Sequence, residues 1–143
     1  MIASAGLGPE IDAAYIEGFV GSERRKQLKP HLEKLFANSS LITRQLVDDV
    51  LKFKRLDGVR ESLQRIADNV FSDGTQAVVM RDELKSLTVP VLVLWGAEDK
   101  IVPASHAEGL PDSVRVEVLD NCGHMVQMEA AGDVNRLISQ HLG

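Results

Sequence analysis

The apolar positions of this chain change their period once, near residue 88. Over residues 9 to 87 they recur at steps of three and four, which lines one side of a helix. Pro9 fits the opening of a first helix carrying Ile11, Tyr15, Ile16 and Phe19 on one side. Ser22 is placed to cap a second, with Leu28, Leu32, Leu35 and Phe36 apolar and Pro30 expected to break or restart it. Leu46, Val47, Val50 and Leu51 mark a third that stops near Gly58. Val59, Leu63, Ile66, Ala67 and Val70 make the fourth and most regular stripe. Ser72-Asp73-Gly74 reads as a turn, and Arg81 to Leu87 as a short last helix.

After residue 88 the pattern is that of strands and crossovers. Val91 to Leu94 is an unbroken apolar run ending at Trp95-Gly96, as in a strand buried on both faces. A short helix is expected around Ala104 to Gly109, a turn at Pro111-Asp112 and a second strand over Val114 to Leu119. A terminal helix then carries Val134, Leu137, Ile138 and Leu142 inward. Strand, helix, strand, helix predicts the α/β class, with two parallel strands joined by a right-handed crossover. Two strands alone do not make a stable sheet, so this half is expected to be the edge of a larger one.

Composition narrows the partners. Hydrophobic residues at 44% and charged residues at 26% describe a folded, soluble chain rather than a disordered one. A net charge of −5 with both signs interspersed, and aromatics at only 4%, argue against nucleic acid. The single cysteine, Cys122, rules out an internal disulfide and fits a reducing compartment. No apolar run approaches the ~20 residues needed to cross a bilayer. MIASAGLGPE has no positive charge ahead of an apolar run, so no membrane partner or secretory signal is expected and the cytoplasm is the expected location.

Two residues carry the candidate chemistry. Asp99 follows the first predicted strand, and His124 follows the second, twenty-five residues later. If the strands are parallel neighbours, both loops emerge at the same carboxyl edge, where ligands bind in open α/β sheets. An aspartate there can fix the imidazole tautomer and leave the other nitrogen free as a base. The bland alternatives are a turn-forming acid and a surface histidine. Met125, just after the histidine, and Trp95, at the end of the first strand, are the substrate-adjacent candidates, each with packing as the alternative. Cys122 is read as a packed side chain rather than a nucleophile, and His106, Cys122 and His124 have no zinc spacing.

VPVLVLWGAEDKIVP followed by VEVLDNCGHMVQMEAAGDVNRLI resembles the C-terminal end of an α/β-hydrolase, with W-G-x-x-D-x-I-V-P and G-H-x-x-x-x-E carrying the two loops. In that family the triad runs serine, acid, histidine along the chain. The resemblance therefore implies Asp99 as triad acid and His124 as general base. GLGPEI, YIEGFV, LKPHLEKLF and TRQLVDDVLKFKRLDGV resemble one subgroup, the acyltransferase (E2) components of acetoin dehydrogenase complexes. This implies a helical cap over residues 1–87 and the last two parallel strands of the core, with their helices, over 88–143. It also implies acyl transfer between a lipoyl thioester and coenzyme A, with no cofactor bound by this segment itself. The implied partners are a small-molecule acyl substrate and other subunits of a dehydrogenase complex. Arg24, Arg25, Lys26 and Lys29 then either face the phosphates of coenzyme A or form a solvated helix face.

The nucleophile is missing. A serine elbow needs Gly-x-Ser-x-Gly, and none of the ten serines has glycine two residues away on both sides. The serine and the oxyanion donors are expected upstream, and the chain alone is expected to be inactive. Two other readings stand beside the transferase: a segment of an ester or thioester hydrolase, and a non-catalytic assembly module. A stripped strand edge and exposed apolar faces would make the isolated chain a homo-oligomer.

Overall fold

A computed structural model describes the backbone of residues 1–143 and every side chain except that of Ser72. In chain order the elements are helices α1 (Ala13–Gly21), α2 (Arg25–Lys34), α3 (Arg44–Lys54) and α4 (Val59–Val70), then short strands β1 (Phe71–Ser72) and β2 (Thr75–Gln76). Strands β3 (Val91–Gly96) and β4 (Val114–Leu119) follow, and helices α5 (Val126–Glu129) and α6 (Ala131–Leu142) close the chain. Short 3₁₀ turns lie at Ser39–Leu41, Asp82–Ser86 and Ala104–Ala107. The first of these was not expected, and the other two stand where short helices were.

β3 is buried on both faces because its side chains alternate between two cores. Val93 and Trp95 join Ala3, Leu7, Ile101 and Val102 on one side. Leu92 and Leu94 pack with Cys122, Val126, Val134 and Leu137 on the other, where α6 covers the sheet. β4 runs parallel to β3, with Val93 opposite Val116 and Trp95 opposite Val118. The opposite edge of β3, expected to be stripped, is covered in part by the N-terminal residues. The Leu94 N–H donates to the Met1 carbonyl and the Ala3 N–H to the Leu94 carbonyl, both at 2.9 Å, in a parallel bridge centred on Ile2 and Leu94. Residues 1–7 thus belong with the sheet, and the helical layer begins after them rather than at residue 1.

That layer packs α1 on α2 and α4, and α2 on α3, around Leu28, Leu32, Phe36, Val47 and Leu51. Pro30 does not break α2: the helix runs through it. Pro30 is exposed, so the carbonyl left without its N–H partner can meet water. Ser22 closes α1 instead of opening α2, its hydroxyl donating to the Gly18 carbonyl at 2.6 Å. The stripe on α4 is only partly used. Leu63 and Ala67 are half-buried, whereas Ile66 is 56% and Val70 40% exposed, since α4 meets the layer mainly through α1. The turn expected at residues 72–74 closes a short hairpin over residues 71–76, and Leu142 is exposed rather than inward.

Asp12 shows how the layer is started. Its carboxylate accepts the Tyr15 N–H at 2.9 Å, capping α1, and pairs with Lys34 of α2. Burial works against its charge, but the Lys34 ammonium and the Tyr15 N–H outweigh it and hold the carboxyl below its ordinary value. Asp12→Ala is expected to cost about 1 kcal/mol at neutral pH. A lowered folded-state pKa stabilises above the unfolded value, and that contribution is lost as pH falls through the folded one. Denaturant unfolding at pH 7 and pH 3 should therefore show the difference between wild type and variant shrinking in acid.

Candidate active site

Asp99 stands in the turn after β3, its side chain fully buried. Oδ1 accepts the backbone N–H groups of Ile101 and Val102 at 2.8 and 3.0 Å. Oδ2 accepts the Trp95 indole N–H at 3.1 Å and lies 2.8 Å from Nδ1 of His124. With four partners on two oxygens the carboxylate has no freedom to turn. A carboxylate can only accept, so Nδ1 carries the proton and Nε2 is the basic nitrogen. Nε2 has no hydrogen-bond partner among the described residues, and the side chain remains 23% exposed. The two residues picked out from separate loops therefore meet at one edge of the sheet.

The approach depends on the backbone. The Ala97 N–H donates to the Leu119 carbonyl at 3.0 Å and the Glu98 N–H to the Cys122 carbonyl at 2.9 Å, stitching the acid loop to the histidine loop. Between them Gly96 lies so close that a Cβ would stand 2.1 Å from the Gly123 oxygen. Asn121 takes a left-handed conformation, φ 56°, which asparagine tolerates better than most residues and which turns the chain back toward β3. Glu129 braces the same loop: it accepts the Gly123 N–H at 2.6 Å and the Asn38 N–H at 3.0 Å. Its signal was present in G-H-x-x-x-x-E, though the spacing carried no role.

Met125 is half-buried beside His124 and packs on the helical layer, its N–H donating to the Leu35 carbonyl at 3.0 Å. Trp95, expected next to substrate, is instead wholly buried. The reason is its place in β3, which turns the indole inward to bridge Asp99 and the Val102 carbonyl. Cys122 lies in the apolar core, where burial first and nearby carboxylates second push its thiol pKa up, so it stays protonated and unreactive. His106 pairs with Glu10 at 2.7 Å and sets its ring edge-on to Trp95. Among the described residues no three His, Cys, Asp or Glu side chains are grouped to hold a metal ion, and no helix is long and apolar enough to cross a membrane. Trp95→Phe removes one donor from Asp99 and leaves the Val102 carbonyl without that partner. A loss of about 1–3 kcal/mol is expected in denaturant unfolding.

A parallel sheet with a helical layer, an acid and a histidine on neighbouring strand-end loops define the class: this chain belongs to the alpha/beta hydrolase fold family, whose profile matches residues 5–131. Within it, the chain is 43% identical over 143 residues to the dihydrolipoyllysine-residue acetyltransferase component of the acetoin cleaving system of Cupriavidus necator, covering all of this chain and 38% of that protein. It is 49% identical over 138 residues to the protein of the same description from Pseudomonas putida, covering 95% of this chain and 36% of that protein. The chain thus spans well under half the length of these relatives. Among solved structures, a meta-cleavage product hydrolase from Pseudomonas fluorescens IP01 matches with a TM-score of 0.82 at 21% identity, over 99% of this chain and 53% of the hydrolase. At that identity the likeness speaks for the fold alone.

Proposed function

We propose that Asp99 and His124 are the acid and base of a Ser-Asp-His acyltransferase that moves an acyl group from a lipoyl thioester to coenzyme A. One observation carries this reading: the 2.8 Å contact between a fully buried, four-fold-bonded carboxylate and an imidazole whose second nitrogen is unengaged. The names of the two acetyltransferase relatives support the substrate class. In this scheme His124 Nε2 takes the proton of a serine hydroxyl as the oxygen attacks the thioester carbonyl. Asp99 stabilises the imidazolium, and the proton passes to the departing lipoyl thiolate. The thiol of coenzyme A then gives its proton to Nε2 and takes the acyl group from the serine. As the acyl–serine bond breaks, Nε2 returns that proton to the serine oxygen, so serine and base end as they began.

The serine and oxyanion donors would come from other parts of the full-length protein, because these 143 residues contain no Gly-x-Ser-x-Gly. The chain by itself is accordingly expected to be inactive. The helices after residue 9 would serve as the cap, and association with other subunits of an acetoin-cleaving complex goes with the same reading. Water in place of the thiol would make the enzyme a hydrolase with the same triad. The test is acyl transfer from an acyl-dihydrolipoamide to coenzyme A by the full-length protein, with free acid measured alongside. His124→Ala should abolish transfer, and undiminished turnover would refute the assignment. Free acid formed regardless of added coenzyme A would favour hydrolysis.

A further inference from the structure

The start of α2, the last turn of α3 and the start of α4 converge on a positively charged cleft separate from Asp99 and His124. Two adjoining cavities of about 370 Å³ each share Arg24, Leu51 and Arg55 as a common wall. Lys54 and Arg60 line one; Arg25 and Lys52 line the other. Around this wall the charge balance of a net −5 chain is inverted. The only lining acids, Glu23 and Asp48, are already engaged, Glu23 by Arg60 and Asp48 by Arg25 at 2.6 Å.

The positive charge is left over for a structural reason. Lys54 is buried behind the wall, its ammonium donating to the carbonyls of Phe19 and, at 2.7 Å, Ser22. Burial first and the Arg60 charge second hold it below the ordinary lysine value. The guanidinium groups of Arg24 and Arg55, on the wall itself, have no hydrogen-bond or ion-pair partner among the described residues. The N–H groups of Arg25 and Lys26 in the first turn of α2 are likewise without acceptors among them, which adds the positive end of a ten-residue helix. Of the basic run seen in the sequence, Arg25 lines the cleft but is held by Asp48, Lys29 pairs with Glu33, and Arg24 is the lining member whose charge has no carboxylate partner among the described residues.

We propose that this cleft binds the phosphate groups of a nucleotide thiol, the class to which coenzyme A belongs, gripped by the guanidinium groups of Arg24 and Arg55. The proposal rests on the acyl-transfer reading for its choice of ligand. Planar guanidinium forks match phosphate oxygens in pairs. The two cavities together fall within the roughly 300–1,000 Å³ usual for small-molecule sites.

Calorimetric titration of the chain with coenzyme A, pantetheine and inorganic pyrophosphate tests it. Coenzyme A and pyrophosphate should bind, more weakly as salt is raised, and pantetheine should bind at least about tenfold more weakly than coenzyme A. Arg24→Gln and Arg55→Gln should each weaken coenzyme A about tenfold. Arg136→Gln, which removes a charge on α6, should leave it unchanged. Both cleft arginines are exposed, so circular dichroism should show the variants folded. The proposal is overturned if the folded chain fails to bind coenzyme A at millimolar concentration. It is equally overturned if pyrophosphate binds and coenzyme A does not, if pantetheine matches coenzyme A, or if the double variant Arg24→Gln, Arg55→Gln binds like wild type. A loss in Arg136→Gln equal to that in the cleft variants would overturn it too. Binding is read without turnover, so a failed triad assignment would leave this result intact, and the reverse.

Discussion

Asp99→Asn should slow acyl transfer by the full-length protein about 10,000-fold, far more than the loss of about 1–3 kcal/mol in stability expected from the lost Trp95 hydrogen bond can account for. The reason lies in which atoms the asparagine must present. The N–H groups of Ile101 and Val102 both need an acceptor, so the amide oxygen is held where Oδ1 now sits. The amide nitrogen then takes the place of Oδ2, facing the indole N–H of Trp95 and Nδ1 of His124. As a donor it requires Nδ1 to accept, which drives the imidazole proton onto Nε2. The nitrogen that should take a proton from serine would already hold one. Nearly the same shape thus gives the wrong tautomer. Turnover measured across pH, beside a melting curve, checks the prediction; a variant within tenfold of wild type would refute the base assignment.

Gly96→Ala should have the largest effect on stability, about 3 kcal/mol or more, because the added methyl meets backbone rather than a movable side chain. Its Cβ would stand 2.1 Å from the Gly123 oxygen and 2.3 Å from the Cys122 oxygen. Relief means parting the two loops, and the Glu98 to Cys122 hydrogen bond lies in the same gap. The damage should therefore reach the Asp99–His124 contact as well as the fold. Gly132→Ala is the control. It lies in α6 with nothing within 4 Å of its would-be Cβ, and gains up to about 1 kcal/mol are expected there from helix propensity. Denaturant titrations of both variants decide the matter; equal effects would mean that the close approach at Gly96 is unimportant.

What could be seen in the sequence follows from how local each cause is. The run Val91 to Leu94 predicts β3 because a strand buried on both faces needs no partner to be recognised. Asp99 and His124 were legible because each follows a strand directly, and parallel pairing does the rest. Trp95 was left between core and substrate side because an unbroken apolar run does not say which of two buried faces holds the acid. Pro30 looked like a break because local rules ignore exposure, and an exposed carbonyl can be left to water. The α4 stripe is regular, yet its burial depends on how much surface α1 offers, which no spacing reveals. The pairing of residues 1–3 with β3 depends on contacts about ninety residues apart. The cleft wall needed Arg24 and Arg55 brought together from two helices. Sequence showed only half of it.

The helical roof and the histidine loop are stapled together. Gly123 fits against the backbone of Leu35–Ala37, the Met125 amide ties to Leu35, and Glu129 clasps Asn38. Lifting the roof as one rigid piece would drag the imidazole off its carboxylate, so such a hinge at this end would switch the machinery out of alignment each time it opened. If this layer is the cap proposed above, molecules entering or leaving must pass without prising up α2.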